Sequence, residues 1–181
     1  MVSARHLTPR PLRERLSVGR WRPPAAKSSP YITAAGYARL EAELRERWTR
    51  RADVVKALAA AAAEGDRSEN AEYIYRKKEL AGIDRRIRYL QKRLPDLTVV
   101  RAAPVGERVF FGAWVQLARS DGSIAEHRIV GADETDSDKR YISVDSPLAR
   151  ALLRKSVGEE IELQLENGKT HLTIEAVRFE A

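Results

Sequence analysis

Apolar residues recur at steps of three and four from Tyr37 through Leu40, Leu44, Trp48, Ala52, Val55 and Ala59 to Ala62, which predicts one face of a long helix with Thr33 as its N-cap. Glu64-Gly65-Asp66 ends that helix, glycine being suited to the left-handed position just beyond a helix. The pattern resumes at Tyr73, Leu80, Ile83, Ile87, Leu90 and Leu94, largely heptad-spaced, until Pro95 closes it. Two helices of about 30 residues joined by so short a turn must run antiparallel, each reaching roughly 40 Å at the helical rise. Leu40, Leu44, Leu90 and Leu94 hold the base of this needle, and the alanines from Ala59 to Ala63 narrow its far end.

From Thr98 the period changes to two. Val109 to Arg119 (VFFGAWVQLAR) reads as a strand, Asp121-Gly122 as a turn, and His127 to Gly131 as the returning strand. Tyr141 to Asp145 (YISVD) reads as another. Ser146-Pro147 then supplies an N-cap and a first-position proline for a short helix through Leu153. EIELQLE, the hairpin signal Asn167-Gly168 and KTHLTIEAVRF complete an antiparallel sheet. The fold class is therefore α+β: an N-terminal antiparallel two-helix coiled coil, then a small antiparallel-sheet domain with one short helix. The divisions fall at 1–30, 31–97 with its tip at 64–70, and 98–181.

Composition narrows the chemistry. The 181 residues contain no cysteine, which excludes disulfides, thiolate metal sites and a cysteine nucleophile, and the three histidines, His6, His127 and His171, are scattered. No apolar stretch approaches the roughly 18 to 20 residues that span a bilayer, so a cytoplasmic protein without a membrane partner is expected. The net charge of +7 is unevenly spread, at +6 over residues 1–30, +4 over 31–97 and −3 over 98–181. Much of the basicity belongs to a proline- and arginine-bearing leader whose composition favours disorder. It reads as a solvated tail or a start site assigned too early, with a nucleic-acid-binding arm or a transit peptide as alternatives. The acidic C-terminal part disfavours a general DNA binder.

Two carboxylates, Asp66 and Glu69, flank the turn in GDRSENAEY. Asp-x-x-Glu at a helix start is a capping box, with Asp66 as the cap; alternatively Ser68 caps, leaving Glu69 in the first turn, where the helix dipole favours an acid. A cap needs no long stalk, however. Two carboxylates at such a point can also ligate one Mg²⁺ whose other ligands come from a partner. Behind them, Arg76, Lys77, Lys78, Arg85 and Arg86 form a basic helix face, which is either solvated or an RNA contact. Tyr73 and Tyr75 either stack on a base or pack against the alanine face. No Ser/His/Asp grouping, phosphate-cradling glycine loop or metal-ligand cluster appears in the sequence.

GDRSENAEYIYRKKELAGIDRRIRYLQKRL, VFFGAWVQL, RIVGADE and YISVDSPLARALLRKSVGEE closely resemble the bacterial Gre transcript-cleavage factors of the B type, in order from about Pro30 to Glu180. The resemblance implies an FKBP-like C-terminal domain that docks at the rim of the RNA polymerase secondary channel, while the coiled coil enters the channel. It implies a factor that is not itself a nuclease and that holds no cofactor of its own; a monomer is expected, though the sequence does not encode whether the chain self-associates. Asp66 and Glu69 would help hold a shared Mg²⁺ in the polymerase active centre, where backtracked RNA, extruded 3′ end first, is cut. Ser68 and Asn70 would orient water or RNA. Arg76, Lys77, Lys78, Arg85 and Arg86 would meet the extruded RNA, and Asp145, Ser146 and Pro147 the polymerase rim. A regulator that enters the same channel without promoting cleavage, and a nucleic-acid-binding coiled coil whose tip is only a turn, are the rival readings.

Overall fold

The structure, a computed structural model, describes residues 28–63, 70–101, 106–165 and 168–179. The leader up to residue 27, the Glu64-Gly65-Asp66 helix stop and Asn167 of the hairpin signal lie outside them. The chain enters through β1 (Tyr31–Thr33) and passes directly into α1 (Ala34–Ala63). The Thr33 hydroxyl accepts from the Gly36 amide at 3.0 Å, so threonine caps this helix as its position predicts. α2 (Ala71–Arg93) runs back, ends in a 3-10 turn at Leu94–Asp96, and leads to β2 (Thr98–Val100). The helices are antiparallel: Leu40 shares a buried cluster with Leu90, Glu43 pairs with Arg86, Arg50 with Glu79, and Asn70 reaches Ala61. Their 30 and 23 residues correspond to about 45 and 35 Å of helix.

The seam differs from the predicted stripe on one helix. On α2 the heptad positions Leu80, Ile83, Ile87, Leu90 and Leu94 turn inward as read from the sequence. On α1 the inward positions after Leu44 are Arg47, Arg51, Val54, Leu58 and Ala61, whereas Trp48 is 46% and Val55 39% exposed, with Ala52 and Ala59 exposed beside them. The step after Leu44 is three residues, to an arginine, and not four, to a tryptophan. An arginine can lay its aliphatic stem along an apolar seam and keep its head in water, so a hydrophobic count passes over it. Here the Arg51 guanidinium bonds Asp84 across the seam at 2.7 Å and lies 5.7 Å from the centre of the Trp48 ring.

The rest of the chain forms a five-stranded sheet from β3 (Trp114–Arg119), β4 (Ile124–Val130), β5 (Tyr141–Ser143), β6 (Glu160–Leu165) and β7 (Gly168–Arg178), in the order β5-β4-β3-β7-β6. Three pairings are antiparallel, but β4 and β5 run parallel, with Arg128 opposite Tyr141 and Val130 opposite Ser143. The purely antiparallel expectation is corrected there: a 3-10 segment, Ala132–Ser137, supplies the crossover that parallel neighbours require. The strand read from Val109 also begins later, at Trp114. Gly112 sits at φ +86°, a turn conformation, and Val109 bonds both Lys155 and Arg154 through its backbone. A second correction is the parallel pair β1-β2, Tyr31 opposite Thr98 and Thr33 opposite Val100, at the base of the helices. Three-residue strands leave too little alternation to be read in advance.

The core of the sheet domain lies under α3 (Pro147–Leu152). Val115 and Leu117 of β3 and Leu172 and Ile174 of β7, inward at alternate positions, pack with Ala149 and Leu152 of α3. No helix of the described residues is long and apolar enough to cross a membrane.

Candidate functional site

Asp66, Ser68 and Glu69 lie outside the described residues; the end of the needle is described from Ala63 on one helix and Asn70 on the other. Asn70 is the N-cap of α2. Its side-chain carbonyl accepts from the Tyr73 amide at 3.1 Å, and its side-chain amide donates to the Ala61 carbonyl at 3.0 Å. This corrects the sequence reading, which put the cap at Asp66 or Ser68. Asparagine caps as well as aspartate or serine, and it alone of the three carries both a carbonyl to satisfy α2 and an amide to fasten α1. Both ends of the Asn70 side chain are therefore engaged within the hairpin, and the first turn of α2 has its cap in Asn70.

The basic residues separate into two kinds. Arg76 occupies a seam position, where it donates to Glu72 at 2.7 Å and Glu79 at 3.0 Å. Arg86 forms a two-pronged pair with Glu43 at 2.9 and 2.7 Å, which holds the Glu43 carboxyl below its ordinary range. Glu79 is lowered in turn, first by Arg50 and then by Arg76. Arg86–Glu43 and Arg50–Glu79 cross between the helices and staple the hairpin, while the Arg76 pairs stay within α2; in water such pairs add little stability, and their directionality fixes register. Lys77, Lys78 and Arg85 are exposed and make no ion pair among the described residues. Arg88 and Lys92, also exposed, continue this face down α2 toward the base. The basic stretch read from the sequence runs through both, but the five candidates stop at Arg86, although Lys78, Arg85 and Lys92 recur every seven residues and Arg88 follows Arg85 by three. Tyr73 turns half-inward along the seam, while Tyr75 is 58% exposed, with the Arg76 guanidinium 5.4 Å from its ring centre.

The third group lies at the start of α3. Ser146 caps that helix, its hydroxyl accepting from the Ala149 amide at 3.2 Å, and the exposed Pro147 opens it. Asp145 has a partner that spacing could not reveal. Its carboxylate accepts from the Ser29 amide at 2.8 Å and from the Ser29 hydroxyl, and these bonds hold it below the usual carboxylate range. Ser29 precedes β1, so Asp145 ties the start of α3 to the base of the needle.

Relatives of known name share this organisation. The GreA/GreB transcription elongation factor N-terminal domain family matches residues 30–99, and the GreA/GreB C-terminal family matches residues 104–179. Transcription elongation factor GreB of Xanthomonas axonopodis pv. citri is 56% identical over 165 residues, spanning 90% of this chain and 98% of its own. GreB of Pseudomonas aeruginosa is 52% identical over 154 residues, 84% of this chain and 92% of its own. Among solved structures, GreA factor homolog 1 of Thermus thermophilus is 27% identical, covering 82% of this chain and 97% of its own, with a TM-score of 0.39. The chain belongs to the GreA/GreB family of transcription elongation factors.

Proposed function

We propose that this chain enters the secondary channel of bacterial RNA polymerase and stimulates the polymerase to cut a backtracked transcript internally, releasing the arrested complex. Supporting this reading is the cap at Asn70: the N-cap position that Asp66 or Ser68 would have filled is taken by Asn70, so the two acids are not needed there. They are hard oxygen donors, the class that Mg²⁺ accepts, and two protein carboxylates leave room for ligands from the polymerase and for water or phosphate. Asp66 and Glu69 would hold the shared ion, which when bound lowers the pKa of a water that attacks the phosphodiester. The chain's own work is mechanical and electrostatic. α1 and α2 deliver the charge, Ser68 orients water or RNA, and the α3 segment, Asp145 to Pro147, meets the polymerase rim.

The test is a purified polymerase halted on end-labelled RNA in a backtracked register. Adding the chain shortens the labelled transcript and restores elongation; an RNA of unchanged length at saturating chain would reject this function.

Within the same reading, the RNA contact is carried by Lys77, Lys78 and Arg85 in preference to Arg76 and Arg86, whose guanidiniums are already engaged. Lys77→Ala/Lys78→Ala/Arg85→Ala should weaken the cleavage-competent complex by about tenfold at low salt and flatten its salt dependence by roughly two to three in log–log slope, since each lost phosphate contact removes one counterion-release term. Arg76→Ala should leave that slope unchanged. Titrating the factor against cleavage rate at several salt concentrations distinguishes them.

A further inference from the structure

Glu134 is 2% exposed and lies in the 3-10 segment between β4 and β5. One of its oxygens, Oε2, accepts from the Thr33 amide at 3.0 Å and the Gly131 amide at 2.9 Å; the other, Oε1, accepts from the Thr33 hydroxyl. That hydroxyl is the one that caps α1 through the Gly36 amide. The carboxylate thus sits at the positive end of a 30-residue helix, and no cation among the described residues pairs with it. Gly36 is required by this closeness, because a methyl group there would fall 2.1 Å from Oε1. Beside it, Asp133 accepts from Arg93 at 2.9 Å and from the Tyr89 hydroxyl, and Arg93 also reaches the Ser29 carbonyl at 2.7 Å. One short segment of the sheet domain therefore grips the beginning of α1 and the end of α2.

A buried carboxylate is a poor way to add stability, since a well-packed apolar side chain would serve as well. What two directed hydrogen bonds to Thr33 supply across the joint, with the Gly131 amide holding the carboxylate in place, is angle. We infer that Glu134 is a positioning residue, which fixes the direction of the helical hairpin on the sheet domain. The length of α1 magnifies any looseness: a tilt of about 10° at the joint displaces the far end by about 8 Å. For the consequence in cleavage this rests on the proposed function; for the joint itself it does not.

Because the chain has no cysteine, Lys56→Cys on α1 and Lys139→Cys in the sheet domain can carry a pair of spin labels without background. The parent should give one narrow inter-label distance. Glu134→Ala, which strips all three bonds, and Gly36→Ala, which pushes the carboxylate out while favouring the helix, should each broaden it. Glu134→Gln keeps an acceptor for the two amides and should retain the narrow distribution. In the transcript assay both alanine variants should lose about tenfold in maximal rate, with half-saturation changed by no more than about threefold, as misplacement and not failed docking dictates. A narrow, unshifted distance in Gly36→Ala or in folded Glu134→Ala overturns the inference. A parent that cuts no transcript, with distances that respond as described, overturns the proposed function alone.

Discussion

Asp66→Asn combined with Glu69→Gln should lower transcript cleavage by about a hundredfold or more, the order lost when a preorganised charge-stabilising group is taken from a reacting centre, and should leave polymerase affinity unchanged. The substitutions keep shape and remove charge. If the acids served only to start α2, the same change would cost helix stability and little else, on the order of 1 kcal/mol for a lost cap. The cap, though, is Asn70, joined to Tyr73 and Ala61. The two outcomes are separable in one preparation: helix content and unfolding midpoint report on the cap, and the labelled transcript reports on the chemistry. Loss of midpoint with retained cleavage would return the acids to a structural role. Asn70→Ala is the complementary control, since it should lower the midpoint because it removes both bonds.

Leu90→Ala should destabilise the protein by about 2–5 kcal/mol, the range for emptying a well-packed leucine site. Leu90 is fully buried, in one cluster with Ile32, Leu40 and Leu94. That cluster joins both helices to β1, and the Arg93 and Tyr89 contacts to Asp133 lie on the same stretch of α2. Emptying it loosens the base of the hairpin as well as its seam. A chemical-denaturation curve would show the midpoint fall, with Lys92→Ala as the exposed control expected to stay within about 0.5 kcal/mol of the parent. An equally small change for Leu90→Ala would mean that the base is held elsewhere.

The sequence made α2 legible because its inward positions are leucine and isoleucine, the residues that a hydrophobic period counts. It concealed half of α1 because Arg47 and Arg51 hold seam positions, while Trp48 and Val55, which look like the seam, face outward. The α3 start was readable from Ser146-Pro147 alone, since cap and proline are local signals. The joint was not. Asp145 with Ser29 is separated by 116 residues and Glu134 with Thr33 by 101, and no local spacing encodes such a contact. The division of the basic face into paired and unpaired cations was equally hidden: five cations look alike in sequence, and only their distances to Glu43, Glu72 and Glu79 distinguish the two that are engaged.

The parallel pair β1-β2 has a consequence for how this architecture can vary. It brings the polypeptide in and out of the helical hairpin side by side, one strand just before α1 and the other just after α2. A cassette anchored by adjacent ends can be lengthened or shortened without disturbing its mount. Adding seven residues to each helix preserves the interlocking period and extends the reach by about 10 Å. The reach of the hairpin is therefore an independently adjustable dimension, set by repeats far from the joint that holds it.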